Sequence, residues 1–235
     1  MKKIVVAGTS SGVGKTAVAS FLLRSLSERT QLHNKKYEGT VRQRRVLQHA
    51  GSTYSATIEH SPDLHPYESL WSALKITIRH EGSCPRHTDC DACDAGYEPF
   101  EVITSDAVLR EKGKDTGQLL RAGASKVVWL QSDPSVEAAG ITAALDCFGK
   151  EHNLVIEGNS FLRVKSADVS ILVVSPLQYK IKRSAKLLLN KIDFIVVNLH
   201  KSHTDKEIEV CKEKMIAFGF DVPFYVVDPH QGTNY

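Results

Sequence analysis

The stretch GTSSGVGKTAV, Gly8 to Val18, follows directly on MKKIVVA and decides how the rest of the chain is read. Ile4, Val5, Val6 and Ala7 form a short apolar run, the signature of a buried strand. The apolar positions between Ala17 and Leu26 recur as they do on a helix face. The glycines therefore lie at a strand-to-helix turn. Backbone N–H groups can close around a phosphate only where side chains are small or absent, and the helix that starts near Lys15 adds its positive end. In such a loop Lys15 reaches the β- and γ-phosphates and the Thr16 hydroxyl ligates Mg²⁺. The usual G-x-x-x-x-G-K-[ST] spacing requires a glycine at Thr9. Gly8 stands one residue earlier, with Gly12 and Gly14 inside, so the loop is one residue longer. The phosphate-binding set is Gly8, Thr9, Ser10, Ser11, Gly12, Val13, Gly14, Lys15, Thr16 and Ala17, and the expected ligand is a nucleoside triphosphate with Mg²⁺.

The 235 residues, 42% of them hydrophobic, are enough for one substantial core, so a single domain over 1–235 is expected. The net charge of +3 comes without a Lys/Arg run, which argues against a nucleic-acid partner and suits anionic small molecules. Nothing is apolar for long enough to span a bilayer, and the first strand leaves no room for a leader, so a cytoplasmic location is expected. Five cysteines in such a chain favour free thiols or metal ligation over a disulfide framework.

Further strand candidates run from Ala73 to Ile78, Phe100 to Thr104, Lys126 to Leu130, Leu154 to Glu157, Ser170 to Val174, Phe194 to Asn198 and Phe224 to Val227. Helical segments lie between most of them: Gly117 to Ala122, Ser135 to Phe148, Lys182 to Lys191 and Asp205 to Phe218. This alternation predicts an α/β fold, a mostly parallel sheet with helices on both faces, and ligands at the carboxyl ends of the strands. Residues 31–70 break the pattern. They are polar, rich in His, Arg and Tyr, and without a sustained period, and read as an insert that is either a loop or partner surface or a small hairpin.

Charged groups collect at strand ends. Lys75 interrupts an apolar run, which places its ammonium either toward an anionic substrate or, as an edge lysine, in solvent. Lys112, Lys114 and Asp115 flank Gly113 just before a helix, a second anion-site candidate or a charged cap. Glu157 ends the strand LVIE and precedes Gly158, where a carboxylate can hold Mg²⁺ through water or polarise a nucleophile. In the cysteine-rich loop 80–99, Cys84, Cys90 and Cys93 are spaced C-x5-C-x2-C, with His80 and His87 near. Three thiolates in one loop suit Zn²⁺ with a histidine, or a [4Fe-4S] cluster with one open iron; a Cys90/Cys93 redox pair or inert thiols are the alternatives. Cys147 reads as core, and Cys211 is not placed. NKID, Asn190 to Asp193, matches a guanine-reading pattern but precedes its strand, as a helix end would. Asn198, which follows the strand, is the better base contact, with Lys201 where a guanine-selective Asp would stand.

GTSSGVGKT and Glu157-Gly158 resemble the dethiobiotin synthetases and cobyrinic acid diamide synthases. A fuller resemblance is to the molybdopterin-guanine dinucleotide biosynthesis adapter family, MobB, through ALKITIRH, GKDTGQLLRAGASKVVWL and LVIEGN in that order. It covers residues 1–20 and about 73–175. The chain differs in its insert, its cysteine loop and its longer phosphate loop. The resemblance implies a three-layer P-loop NTPase of the SIMIBI type, a homodimer that hydrolyses ATP or GTP and assists a client in assembling a pterin-metal cofactor. The alternative is an ATP-dependent ligase of the dethiobiotin synthetase type, with Lys75 and Lys114 steadying a small carboxylate.

Overall fold

The computed structural model describes residues 1–43, 71–79, 98–178, 180–199 and 203–229. Eight strands form one sheet: β1 (Lys3–Gly8), β2 (Trp71–Ile78), β3 (Phe100–Ile103), β4 (Val127–Ser132), β5 (Asn153–Glu157), β6 (Val169–Val174), β7 (Phe194–Asn198) and β8 (Phe224–Val227). Their order across the sheet is β3-β4-β2-β5-β1-β6-β7-β8. Every pairing is parallel except that of edge strand β3 with β4. The helices are α1 (Lys15–Gln43), α2 (Asp106–Leu109), α3 (Asp115–Arg121), α4 (Glu137–Asp146), α5 (Phe161–Val164), α6 (Arg183–Lys186) and α7 (Asp205–Ala217).

Each central strand is apolar on both faces because helices cover both. On β1, Val5 and Ala7 enter a core with Ile141 and Ala144 of α4 and Cys211 and Met215 of α7. Val6 points the other way, into a core with Val18, Ala19 and Leu23 of α1 and Leu119 of α3. The result is three layers, helix–sheet–helix. Each fully buried Leu or Val contributes about 1.5–3 kcal/mol through the water-exposed area it loses.

The alternation predicted from sequence is present, with differences at element ends. Helix α1 continues to Gln43, into the stretch read as an insert. The segment 182–191 is not one helix but α6 followed by a 3₁₀ turn, Leu189–Lys191. Residues 44–70 of the expected insert lie outside the described residues. Among the described residues, no helix is long and apolar enough to cross a membrane.

The register of the central strands places the site. Val6 of β1 and Lys75 of β2 are both aligned with Glu157 of β5. Three neighbouring strands thus deliver the phosphate loop, a lysine and a carboxylate to one end of the sheet.

Candidate functional site

The loop between β1 and α1 requires its glycines sterically. A Cβ on Gly8 would lie 2.8 Å from Val13 Cγ2 and 2.8 Å from Lys15 Cγ. Gly8 thus serves as the first glycine although it stands one residue early. Gly14 has φ +90°, and a Cβ there would fall 1.9 Å from Asn198 Nδ2. The loop is anchored on its far side by Asn159, whose Oδ1 accepts from Gly8 N (2.9 Å) and whose Nδ2 donates to Gly8 O (3.0 Å). Sequence reading passed over Asn159; its place directly after Glu157-Gly158 was the available signal.

Lys15 at the start of α1 folds back so that Nζ donates to Ser10 O at 3.1 Å. Its pKa lies below the ordinary lysine value, first because burial disfavours the ammonium. Glu157 opposes that shift, and the ammoniums of Lys75 and Lys182 add to it. A cation held in this way, with a neutral carbonyl as its hydrogen-bond partner, is better matched by an anionic phosphate oxygen.

Next to it, Thr16 Oγ1 donates to Glu157 Oε2 at 2.9 Å. Lys75 Nζ donates to the other Glu157 oxygen at 3.0 Å and to Asp115 Oδ2 at 2.6 Å. The Glu157 side chain is only 5% exposed and that of Lys75 14%, while Asp115 is 43% exposed at the start of α3. Burial lowers the Lys75 pKa, but the Glu157 and Asp115 carboxylates more than offset this, and the net shift is upward. Lys75 is therefore held as a cation that ties the ends of β2 and β5 to the start of α3. The solvent-facing reading of Lys75 does not hold.

These groups line a cleft of about 800 Å³. Its floor is the loop from Gly8 to Ala17, and it runs past Lys75, Asp115 and Glu157 to Gln118, Ser160 and Arg163. Arg163 is held there by a bidentate ion pair with Glu137. Lys182, from the segment after β6, also lines the cleft. Its Nζ donates to Ser11 Oγ at 2.8 Å, and its main-chain N–H donates to Thr9 O at 2.8 Å. Gln178 Oε1 accepts from Ser10 Oγ at 2.5 Å. Sequence reading did not find Gln178 or Lys182, since no motif links them to a loop more than 160 residues earlier.

Two expected site residues point elsewhere. Lys114 pairs with Glu111 at 2.6 Å and lies over the Trp129 ring, 5.1 Å from its centroid, so it does not line the cleft. Asn198 is buried beneath the phosphate loop, where Nδ2 donates to Val13 O at 2.9 Å and Oδ1 has no hydrogen-bond partner among the described residues. It supports the loop from below and does not line the cleft. In NKID, Asp193 Oδ2 accepts from both Ser170 N and Ser170 Oγ at 2.7 Å, a structural link between β6 and β7. Cys84, Cys90, Cys93, His80, His87 and Lys201 lie outside the described residues. The two ends of the segment bearing the cysteines are described, and they meet. Arg79 donates from its main chain to Ser132 O (2.9 Å) and from Nη1 to Glu98 O (2.8 Å), and Asp133 N donates to Pro99 O (2.9 Å).

No protein-family profile matches the sequence, and no curated protein is similar to it. Among solved structures, the chain is similar to a LAO/AO transport system kinase at 13% identity, covering 96% of this chain and 53% of that one, with a TM-score of 0.40. It is also similar to a nucleotide-binding protein in complex with ADP from Archaeoglobus fulgidus (10% identity, 97% and 81% covered, TM-score 0.37). A plasmid partition protein from Borrelia burgdorferi is similar at 8% identity, with 100% and 81% covered and a TM-score of 0.33. The chain spans about half the length of the first of these. At TM-scores below 0.5 these likenesses carry no functional argument. On its own sheet order and element order, the chain has a three-layer α/β fold with a glycine-rich loop between β1 and α1.

Proposed function

We propose that the chain binds and hydrolyses a nucleoside triphosphate and, in doing so, assists the assembly of a molybdopterin-type or other metal-containing cofactor. One observation carries the nucleotide reading: Lys15, Thr16, Glu157 and Lys75, from three adjacent strand ends, line one cleft, where Thr16 and Lys75 both donate to Glu157 (2.9 and 3.0 Å) and Lys15 donates to Ser10 O of the loop (3.1 Å). The loop N–H groups and Lys15 hold the β- and γ-phosphates. Lys75 fixes the Glu157 carboxylate, and Thr16 and Glu157 offer a hydroxyl and a carboxylate side by side, the hard oxygen set that Mg²⁺ takes. Bound there, Mg²⁺ supplies charge neutralisation on the phosphate oxygens. Glu157 also accepts a hydrogen bond from an attacking water at the cleft's inner end and orients it.

The cofactor-assembly role rests on the resemblance to MobB. It is supported by the way that family's three segments come together here: Lys75 of ALKITIRH, Asp115 of GKDTGQLLRAGASKVVWL and Glu157 of LVIEGN form one ion-pair network. The cysteine segment, a homodimer and a client protein belong to the same proposal, with Cys84, Cys90 and Cys93 as ligands of a [4Fe-4S] cluster or Zn²⁺.

A second reading, ATP-dependent activation of a small carboxylate, is favoured by the extent of the cleft beyond the phosphate loop, toward Gln118 and Ser160. ATP turnover that depends on an added small carboxylic acid selects it over slow turnover stimulated by a protein.

The nucleotide reading is tested by titrating the wild type and Lys15→Ala with triphosphate and Mg²⁺. Binding by the wild type and its loss in the variant are expected, and full affinity in Lys15→Ala overturns the assignment. Metal and sulfide analysis after anaerobic purification, repeated on Cys90→Ser, tests the cysteine ligands. Unchanged metal content in the variant rejects them.

A further inference from the structure

We infer that Lys182 is a second phosphate-binding cation, supplied to the terminal phosphates of the bound triphosphate from the segment after β6 and not from the phosphate loop itself. The inference rests on the nucleotide reading above.

The geometry of the loop places Lys182 there twice over. Its main chain is fixed to the loop by the bond from Lys182 N to Thr9 O, and its ammonium reaches Ser11 Oγ at 2.8 Å. Ser11 is the neighbour of Ser10, whose carbonyl receives the Lys15 ammonium. A P-loop lysine marks the β/γ end of the ligand, so the two ammoniums stand at the same end. Both residues line the same cleft, and Lys182 lies close enough to help depress the Lys15 pKa, after burial and Lys75.

The partners of the three cleft lysines differ in a way that assigns them different work. Lys75 is fully engaged with Glu157 and Asp115. Lys15 rests on a carbonyl. Lys182 forms no ion pair among the described residues, and its hydrogen-bond partner is a neutral hydroxyl. When a triphosphate enters, that ammonium exchanges a hydroxyl for an anionic phosphate oxygen. A charge-assisted bond is roughly twice as strong as a neutral one, so the exchange favours the ligand. The release costs little, because Ser11 Oγ is exposed enough for water to replace the lysine. The segment is prepositioned for this by Gln178, which is bonded to Ser10 Oγ on the same side of the loop.

A cation at the γ-phosphate distinguishes triphosphate from diphosphate, and that difference is the test. Triphosphate and diphosphate affinities are measured by calorimetry for the wild type, Lys182→Gln, Lys182→Arg and the control Lys180→Gln, each checked by thermal melting. Lys180 is exposed and does not line the cleft. Lys182→Gln is expected to lose about tenfold in triphosphate affinity, the lower end for a hydrogen bond to a charged group, and less than twofold in diphosphate affinity. Lys182→Arg should retain most of the discrimination, and Lys180→Gln should behave as wild type. Equal losses for both nucleotides, no loss in Lys182→Gln, or an equal effect from Lys180→Gln overturns the role of Lys182 while leaving nucleotide binding intact. A wild type that binds neither nucleotide overturns the nucleotide reading itself.

Discussion

Replacing Lys75 by Met removes the cation between Glu157 and Asp115 and leaves the buried Glu157 carboxylate with the Thr16 hydrogen bond and the nearby Lys15 ammonium. Breaking a buried pair from one side costs about 3–5 kcal/mol, and the nearby Lys15 ammonium keeps the loss here at the lower end. The Asp115 contact adds little, since that carboxylate is 43% exposed and screened. A loss of about 3 kcal/mol is therefore expected. For a chain of this size, at about 2–4 °C per kcal/mol, the melting temperature falls by about 6–12 °C. Glu157→Gln costs less, about 1 kcal/mol, because Lys75 keeps Asp115 and the amide oxygen still accepts a hydrogen bond. In the double variant no charge is stranded, and the loss is expected to be about 2 kcal/mol instead of the additive 4. The difference, about 2 kcal/mol, is the coupling of the pair. The pH dependence has a definite sign. The folded pKa of Lys75 is raised, so its contribution is fully present below the unfolded lysine value of 10.5 and is lost as pH rises through the higher folded value. The gap between wild type and Lys75→Met should be constant from pH 7 to 9 and close in more alkaline solution. Circular-dichroism melts of the four proteins at several pH values provide the data. A Lys75→Met shift below 2 °C, or strict additivity, refutes the reasoning.

Lys15→Met should stabilise the nucleotide-free protein by about 1 kcal/mol, seen as a higher melting temperature, because the buried ammonium is held for ligand binding and not for folding. Its folded pKa is lowered, so wild-type stability should rise with pH between that value and 10.5, and the variant should lack the rise. Gly14→Ala combines φ +90° with a Cβ 1.9 Å from Asn198 Nδ2; a loss of about 2–4 kcal/mol is expected by denaturant titration, together with loss of triphosphate binding. Asp193→Ala strands the Ser170 N–H and should cost about 1–3 kcal/mol, with nucleotide affinity within twofold of wild type. A larger affinity change would return NKID to the binding site.

Much of the fold was legible because its signals are local. Apolar runs such as LVIE and FIVVN are strands in any context that covers both faces, and the glycines before Lys15 fix the turn. Glu157 and Lys75 were recognisable as anomalies, a carboxylate at a strand end and an ammonium inside an apolar run. Their meeting depends on β5 lying between β1 and β2, which the strand order decides and no local pattern carries. Asn198 shows the limit clearly. Its position at the end of β7 was read from sequence, but which way its side chain turns depends on the loop that packs on it. Lys114 turns toward Glu111 and the Trp129 ring, and the second of these contacts depends on where β4 lies, which no local pattern around Lys114 carries. Residues 31–43 gave no helical period because Leu32, Tyr37 and Val41 are too few and too widely spaced in sequence to make one.

The joined ends of the segment between β2 and β3 have a further consequence. Arg79 and Glu98 are clasped to each other and, through Ser132 and Asp133, to the end of β4. The two points from which the span between them departs belong to the sheet. Lengthening or replacing such a span changes the closure entropy only as the logarithm of its length, about 0.6 kcal/mol per doubling. The sheet's register and the phosphate loop are untouched by the exchange. The segment between β2 and β3 can thus be exchanged at the rim of the cleft, beside Arg79, without rebuilding the loop between β1 and α1.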